Sequence, residues 1–478
     1  MLQLSNENLS QFKLASIKVP TYNRKNLNPS LVHIGLGAFH RAHYLSYVED
    51  LMNKGIYKDG VYEIDLIPAN KEFISRLKEQ DYLYTILKKD PFKNEKLEIR
   101  GGIANYCNAR DDMNKVLDIL SSNNTKLITL TVTEKGYCYD SENHKLDMNN
   151  DLIKADLNSL YKPLSLIGVL AQSLNIRYKT SKAPLTIMSC DNVPENGNML
   201  KTCVLEFIYI KYPDISNWVK ENVNFLNTMV DRITPATSQE DIIELQNKYN
   251  IDDICGVHCE DFKTWIIEDI DIPQIQMFRE TGALIVDSVL PYELMKIRLL
   301  NGAHSALSYP AYLLGYRDVD EGINDPLIKD FIRNHYMEEI TKSLYSVPGI
   351  NLEEYKNQLI DRFSNKYIKD KLLRLASDGS KKISNAIVKP LLEVRDNKAL
   401  ILSLAFWAEF LGGVDNNGNQ IMIEDPAKDI LKSLIDDDKA FMNYLNIRDE
   451  NIINTFSEFR HQIKDIGIKN TLKKFLNK

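Results

Sequence analysis

The chain has 478 residues, 44% of them hydrophobic and 26% charged, and a formal net charge of −7. The length suggests two to four domains, and the composition is typical of a globular protein and excludes a disordered one. The acidic balance argues against nucleic acid as the main partner, because binding to phosphates requires a basic face.

The first predicted strand and helix flank a glycine turn. Residues 31–34 form a short apolar run, which Gly35 and Gly37 follow directly, and apolar residues then recur at helical spacing. Glycines in such a turn let the backbone approach a pyrophosphate, which the helix N-terminus also favours. The usual third glycine is replaced by His40, so the fingerprint is incomplete. We predict a dinucleotide site formed by Gly35, Gly37, Ala38, Phe39 and His40.

The second predicted strand, residues 61–67, bears on which dinucleotide binds. In proteins that bind NAD, an acidic residue at the end of this strand usually holds the ribose 2′-hydroxyl. Here Asp65 falls within the predicted strand, while Asn70 and Lys71 stand where the acid is expected. We therefore include Asn70 in the cofactor site. We expect NAD, with NADP possible because Lys71 tolerates a 2′-phosphate.

Two further buried strands are predicted at residues 127–132 and 185–190. Strands that alternate with amphipathic helices predict a parallel, doubly wound α/β sheet of the Rossmann type. Ligands bind beyond the carboxyl ends of such strands, where this chain has Thr133, Glu134, Lys135 and Asn192. Glu134 and Lys135 are equally well explained as a surface ion pair. Asn192 is better placed, since its amide can donate to a developing oxyanion.

The pattern changes near residue 290, and long helical repeats follow. They cover residues 292–314, 327–344, 352–363, 399–411 and 452–463. We therefore predict a Rossmann-type dinucleotide-binding domain over residues 1–287. A mostly α-helical domain over residues 288–478 follows it and is expected to carry substrate and catalytic groups.

The first of these helical repeats carries a group of polar side chains. At about 100° per residue, Lys296, His304 and Asn301 fall near 0°, 80° and 140° on the predicted helix, an arc with room for one small substrate. A lysine, an imidazole and an amide facing one site can take a proton from a hydroxyl and hold the resulting oxygen. The alternative is an ordinary amphipathic helix with a solvated lysine and a core histidine.

The sequence gives little support for a metal, a membrane span or export. Cys255, His258 and Cys259 form the one cluster that resembles a metal site, and a second ligand pair at zinc spacing is lacking, so we predict no metal. No apolar run is long enough to span a bilayer, and the N-terminus has no signal pattern. The six cysteines lie mostly in apolar runs, which is typical of a cytoplasmic protein.

With these motifs assembled, the chain resembles the polyol-specific long-chain dehydrogenase/reductase family over nearly its whole length. The shared motifs are GLGAFHRAH (35–43), TVTEKGY (131–137), SCDNVPENG (189–197), MVDRITPAT (229–237), PYELMK (291–296) and DGS (378–380). The resemblance implies a Rossmann-type domain, a helical domain, an active site between them and no metal. It implies that Lys296 is the general base, that Asn192 and Asn301 stabilise the oxyanion, and that His304 positions the substrate. Asp231, Glu293, Arg374 and Lys382 are implied to line the substrate site or to support it.

The resemblance also implies the reaction, a hydride transfer between a nicotinamide cofactor and a polyol/ketose pair. The first expectation is D-mannitol and D-fructose. Other substrates of the family remain open: D-arabinitol, D-sorbitol or a hexuronate such as fructuronate. The carboxylate of a hexuronate would need an extra cation, for which Arg374 or Lys381 could serve. A dinucleotide-sensing protein without catalysis is a remote alternative. We expect no nucleic acid or membrane partner, and a monomer or a small homo-oligomer.

Overall fold

The computed structural model describes residues 2–92, 94–159 and 162–477. The chain divides into two compact units. The first comprises Met1–Lys89 with Glu95–Val289, and the second comprises Leu290–Lys478 with the short stretch Asp90–Asn94.

The strands of the first unit belong to one large sheet and three smaller ones. In chain order they are β1 (Leu31–Ile34), β2 (Val61–Asp65), β3 (Tyr84–Lys89), β4 (Glu95–Arg100), β5 (Ile103–Asn108), β6 (Leu127–Leu130), β7 (Tyr139–Asp140), β8 (Lys145–Leu146), β9 (Leu185–Ser189), β10 (Val223–Leu226), β11 (Thr228–Asp231), β12 (Val257–Glu260), β13 (Thr264–Glu268) and β14 (Leu284–Val286).

Six of these strands form the large sheet, in the order β10-β9-β6-β1-β2-β5. Every neighbouring pair is parallel. Numbered along the chain and read from β5, this is the 3-2-1-4-5-6 order of dinucleotide-binding sheets, whose direction reverses between β1 and β6. The predicted doubly wound Rossmann sheet is confirmed. The reversal brings the ends of β1 and β6 together, at the edge where such folds bind ligands.

The helices of the first unit cover both faces of this sheet. They are α1 (Leu9–Leu14), α2 (Ala38–Ala42), α3 (Tyr44–Asn53), α4 (Lys71–Glu79), α5 (Met113–Ser121), α6 (Asp151–Asn158), α7 (Leu166–Thr180), α8 (Asn196–Lys211), α9 (Ser216–Asn222), α10 (Gln239–Tyr249) and α11 (Pro273–Gln276). One core packs Val32 of β1 with residues of α5, α7 and α8. The other packs Leu31 with α3 and Trp265. Adjacent residues of β1 thus enter opposite cores, as a sheet buried on both faces requires.

Three small sheets complete the first unit: β11-β13-β14, β12-β3-β4 and β7-β8. The sequence patterns did not predict them. The pairings β11–β13 and β3–β4 are antiparallel, whereas β12 joins β3 in parallel from more than 160 residues away along the chain.

The second unit is built from helices. They are α12 (Leu290–Met295), α13 (Gly302–Leu313), α14 (Val319–Asn324), α15 (Pro326–Asp330), α16 (Met337–Thr341), α17 (Leu352–Phe363), α18 (Leu372–Ala376), α19 (Gly379–Ile383), α20 (Lys389–Glu393), α21 (Lys398–Leu411), α22 (Lys428–Leu434), α23 (Asp438–Tyr444) and α24 (Glu450–Phe475), the last kinked at Gly467. The predicted helical domain is confirmed. Among the described helices, none combines the length and apolarity of a membrane span.

Two of the predicted long helices are not continuous α-helices. Three π-helical segments lie in the second unit: Lys296–Asn301, Phe331–Tyr336 and Ser384–Val388. The first separates α12 from α13, and the second separates α15 from α16. The predictions of regular helices over residues 292–314 and 327–344 were therefore wrong at these segments.

Candidate active site

The glycine turn after β1 has a geometry that only glycine fits at its first position. Gly35 has φ +108°, and a Cβ added there would lie 2.1 Å from the carbonyl oxygen of Thr131. Gly37 begins α2 as its N-cap, and an added Cβ there would meet nothing within 4 Å. The turn thus presses against the end of β6 on one side and leaves open space at Gly37. Both observations fit a dinucleotide whose phosphates approach the backbone.

The end of β2 differs from the prediction. The strand ends at Asp65, whose carboxylate accepts hydrogen bonds from the Leu36 N–H at 3.0 Å and from the Tyr106 hydroxyl at 3.0 Å. Asn70 lies five residues further on and caps α4 by accepting from the N–H groups of Glu72 and Phe73. The expectation that Asn70 occupies the strand end was wrong, because the chain leaves the sheet before the apolar residues 66–67. The acid at this position is Asp65.

His40 is buried behind the glycine turn and stabilises it. Its imidazole is fully buried and lies 2.9 Å from the buried carboxylate of Glu63. Its ring stacks on that of His33 at 3.4 Å, and His33 in turn contacts the Gly35 carbonyl oxygen. Burial lowers the pKa of His40 well below its usual value and raises that of Glu63 well above it. His40 and Glu63 therefore form a neutral, buried hydrogen-bonded pair that stabilises the turn and does not face a ligand. Ala38 and Phe39 are half-buried in the same turn.

The loop after β6 is held in a strained conformation. Thr133 has φ +63° and ψ 165°, a region that residues other than glycine rarely occupy. The buried carboxylate of Asp191 accepts from the N–H groups of Val132 at 3.0 Å and Thr133 at 2.9 Å, and from the Tyr137 hydroxyl at 2.7 Å. Strain of this kind clusters at ligand sites, where surrounding contacts hold it. Glu134 and Lys135 are exposed in the 3-10 turn that follows.

Asn192 is exposed, three residues after the end of β9 and next to Asp191 in the chain. Its segment is fixed by Asn196, whose amide donates to the carbonyl oxygens of Asp191 and Thr228, both at 2.9 Å. The sequence placed both Asp191 and Asn192 at this strand end, but only Asn192 was given a role. The signal was an acid directly after a buried strand, at the edge where ligands bind.

In the second unit, Lys296 begins a π-helical segment that ends at Asn301, and it is only 6% exposed. A π-helix is closed by hydrogen bonds between residues five apart, and here the Gly302 N–H bonds to the Ile297 carbonyl. Residues five apart therefore stand on nearly the same face. Lys296 and Asn301 share a face that a regular α-helix would split by 140°. The predicted arc was wrong in its angles, and the observed geometry brings these two residues closer together.

The cause of the π-helical segment is the hydroxyl of Tyr336. In an α-helix the Gly302 N–H would bond to the Arg298 carbonyl, four residues back. That carbonyl instead accepts from the buried Tyr336 hydroxyl at 3.2 Å. Gly302 makes room for the hydroxyl, since an added Cβ would lie 2.0 Å from it. Sequence periodicity carries no signal for this contact, because the two residues are 38 positions apart.

The other predicted substrate residues lie in different settings. His304 is half-buried, with its ring 4.6 Å from that of Phe363. Glu293 is buried on α12, one turn before Lys296. Asp231 is buried at the end of β11 in the first unit.

Arg374 and Lys382 lie on α18 and α19, where their charges are already balanced in part. The guanidinium of exposed Arg374 forms two hydrogen bonds to Asp370, one of them from its Nε at 2.6 Å. Burial lowers the pKa of Lys382, and the nearby Arg374 charge acts in the same direction. The Lys382 ammonium donates to the Leu375 carbonyl at 3.3 Å.

Comparison with known proteins gives matches over nearly the whole chain. The family model of the mannitol dehydrogenase Rossmann domain matches residues 29–277, and that of the mannitol dehydrogenase C-terminal domain matches residues 288–466. A D-mannonate oxidoreductase of Escherichia coli (strain K12) is 36% identical, with 85% of each chain covered. A mannitol 2-dehydrogenase of Aspergillus fumigatus is 33% identical, with 100% of this chain and 99% of the relative covered.

Among solved structures, the ternary complex of Pseudomonas fluorescens mannitol 2-dehydrogenase with NAD and D-mannitol is similar throughout. It superposes with a TM-score of 0.88 at 34% sequence identity, and the match covers 100% of both chains.

Proposed function

The chain belongs to the mannitol dehydrogenase family, and on this premise we propose that it is an NAD-dependent polyol dehydrogenase. The proposed reaction is the reversible oxidation of D-mannitol to D-fructose. The observation that carries the proposal is the pair Lys296 and Asn301 on one face of a π-helical turn, because a buried amine beside an amide matches the needs of alcohol oxidation.

The cofactor is proposed to lie along the carboxyl edge of the large sheet. Gly35, Gly37, Ala38 and Phe39 would take the pyrophosphate, and Thr133, Glu134 and Lys135 would line the neighbouring edge. Asp65 is proposed to hold the adenosine ribose, with Asn70 at the start of α4 as an outer contact. When bound, the nicotinamide ring accepts the hydride from the carbinol carbon or returns it to the ketone.

The protein's own residues would manage the proton and the oxygen. We assign Lys296 as the general base that takes the hydroxyl proton as the C–H bond breaks and the carbonyl forms. In the reverse direction its ammonium returns that proton to the developing alkoxide. The amides of Asn192 and Asn301 are assigned to donate hydrogen bonds to this oxygen, where charge develops in the transition state.

The remaining residues are proposed to orient the substrate. His304 is half-buried against Phe363, which restrains its ring and suits it to hold a neighbouring substrate hydroxyl. Glu293 and Asp231 are buried acids, suited to accept from further hydroxyls or to fix the groups that do. We propose the reducing cytoplasm as the compartment, since all six cysteines are buried and free, and a monomer or small homo-oligomer as the assembly.

A second substrate class is a hexonate or hexuronate, because one relative at 36% identity is a D-mannonate oxidoreductase. Such a substrate carries a carboxylate that needs a cation. In this chain Arg374 already forms two hydrogen bonds to Asp370, so a substrate carboxylate would have to displace Asp370 or bind the exposed Lys381 instead. The engagement of Arg374 favours a neutral polyol.

The test is a substrate screen with purified protein. D-Mannitol, D-sorbitol, D-arabinitol and D-mannonate are offered with NAD or NADP, and D-fructose and fructuronate are offered with the reduced cofactors. The proposal predicts the highest kcat/KM for D-mannitol with NAD. A preference for D-mannonate would instead support the second class. Turnover of no polyol or sugar acid, alongside normal dinucleotide binding, would indicate the sensing function.

A further inference from the structure

Three metal-ligating side chains meet in the first unit, away from the glycine turn. Asp241 and Glu244 lie three residues apart on α10 and so share one face of the helix. His258 lies on β12. One ligand atom of each residue can be chosen so that all three lie within 4.8 Å of one another. Two carboxylates and an imidazole are a donor set that first-row dications accept.

The setting of the His258 imidazole also favours a bound cation. His258 is 5% exposed, and its Nδ1 lies 3.1 Å from Oδ1 of Asp241. Nδ1 therefore forms an ion pair with this carboxylate, whereas Nε2 has no hydrogen-bond partner among the described residues. A buried ring nitrogen without a hydrogen bond is costly. Adjacent ligand atoms about 2.1 Å from one dication stand about 3.0–3.4 Å apart, which is the spacing seen between these two atoms.

The carboxylates of Asp241 and Glu244 differ in how firmly neighbouring groups hold them. Oδ2 of Asp241 accepts from the N–H and the hydroxyl of Ser238, both at 2.9 Å, which leaves Oδ1 directed at His258. Glu244 is less constrained, because its side chain is 29% exposed and its Oε2 accepts from the Lys89 ammonium at 2.8 Å. A cation would draw Glu244 inward and compete with Lys89 for it.

We propose that Asp241, Glu244 and His258 form a structural site for a divalent first-row transition cation of the zinc type. The ion would tie the first turns of α10 to β12, with water completing its coordination. Its ligands are His258 and the carboxylates of Glu244 and Asp241, which lie 14 and 17 positions earlier in the sequence. Cys255 and Cys259 take no part, because burial raises the pKa of both thiols and so disfavours the thiolate that binds zinc.

Titration of EDTA-treated full-length protein with Zn²⁺ and Co²⁺ tests the proposal. We expect one equivalent bound in calorimetry, visible absorption bands for Co²⁺ that Zn²⁺ abolishes, and a Tm raised by about 5 °C at a hundredfold excess over Kd. His258→Ala should abolish binding, and Glu244→Gln should weaken it at least tenfold. Lys89→Met should tighten binding, because it releases Glu244. The exposed His461 supplies the matched control, and His461→Ala should bind as the wild type does.

Two results would overturn the site. One is wild-type protein that binds neither ion below millimolar concentration. The other is binding that persists in both His258→Ala and Glu244→Gln, which would place the ion elsewhere. If His258→Ala fails to fold, the partly exposed Glu244→Gln and the opposing Lys89→Met decide the question. If Asp241 with His258 and Lys89 with Glu244 are only two ion pairs, removal of Lys89 should not tighten the binding of a cation.

Discussion

Removal of the Tyr336 hydroxyl should disturb catalysis through the backbone. In Tyr336→Phe the Arg298 carbonyl loses its donor, now at 3.2 Å, and either stays unsatisfied or recovers the α-helical bond from Gly302. The first outcome costs about 1–3 kcal/mol of stability. The second rotates Asn301 away from Lys296 towards the 140° of a regular helix.

Loss of one oxyanion donor alone costs about 100-fold or more in turnover, and a partly populated π turn costs less. We therefore expect kcat for the substrate that the wild type oxidises to fall about 10- to 100-fold, or about 1.4–2.7 kcal/mol. The KM for the dinucleotide should stay unchanged. The assay is steady-state kinetics with a parallel thermal melt, in which Tm should fall by a few degrees.

Tyr57→Phe is the matched control. Its hydroxyl also donates to a backbone carbonyl, that of Gly60 at 2.9 Å, but it lies at the amino-terminal edge of β1 and β2, opposite the ligand edge. Its Tm should fall while kcat stays within about twofold. Wild-type kcat in Tyr336→Phe together with a lowered Tm would refute the reasoning, because the hydroxyl would then only stabilise the fold.

Four further results are expected. Lys296→Ala should lower kcat by about two to four orders of magnitude, the usual range for loss of a general base, with dinucleotide affinity retained in a fluorescence titration. Asp65→Asn should narrow the ratio of kcat/KM for NAD over NADP, whereas Asn70→Asp should widen it slightly; an unchanged ratio in Asp65→Asn would contradict the ribose assignment. Activity should survive EDTA even if Tm falls, since the proposed base is a lysine. Burial raises the pKa of the Glu339 carboxyl to about 7, although two backbone N–H donors act in the opposite direction. The folded state therefore binds the carboxyl proton more tightly than the unfolded state does. As a result, the free energy of unfolding should fall as the pH rises from about 5 to 7. Glu339→Gln should flatten that fall in pH-dependent melts.

The sequence predicted those parts of the fold whose causes are local. β1 is observed where it was expected, because the apolar residues Leu31, Val32 and Ile34 stand directly before the turn at Gly35. α17 likewise begins after the cap Asn351, which accepts from the first-turn N–H groups. The end of β2 was misplaced because apolar content suggested that the strand continues, whereas the Ile67 side chain is 70% exposed. The carboxylate of Asp65 meets the turn after β1 instead, and this contact joins distant parts of the chain.

In the candidate site, too, the sequence predicted features with local causes and not those that join distant residues. Gly35, Gly37 and Asn192 were identified from their positions at strand ends, which neighbouring residues define. The support of Thr133 by Asp191 joins residues 58 positions apart, and no periodic pattern carries it. The same is true of the cluster of Asp241, Glu244 and His258, since the helix and the strand that bear it each look ordinary alone.

The π-helical segments show where local and distant causes combine. In an α-helix the Ala386 carbonyl would accept from residue 390, but Pro390 has no N–H to donate, so an irregular turn near residues 384–388 is readable from the sequence. The Tyr336 hydroxyl lies 3.5 Å from this Ala386 carbonyl and 3.2 Å from that of Arg298. One hydroxyl proton cannot satisfy both, and the shorter contact goes to Arg298. The irregularity that the proline explains is therefore not the one that shapes the turn between Lys296 and Asn301. The turn bearing Lys296 depends on a tyrosine whose importance appears only when the helices are packed.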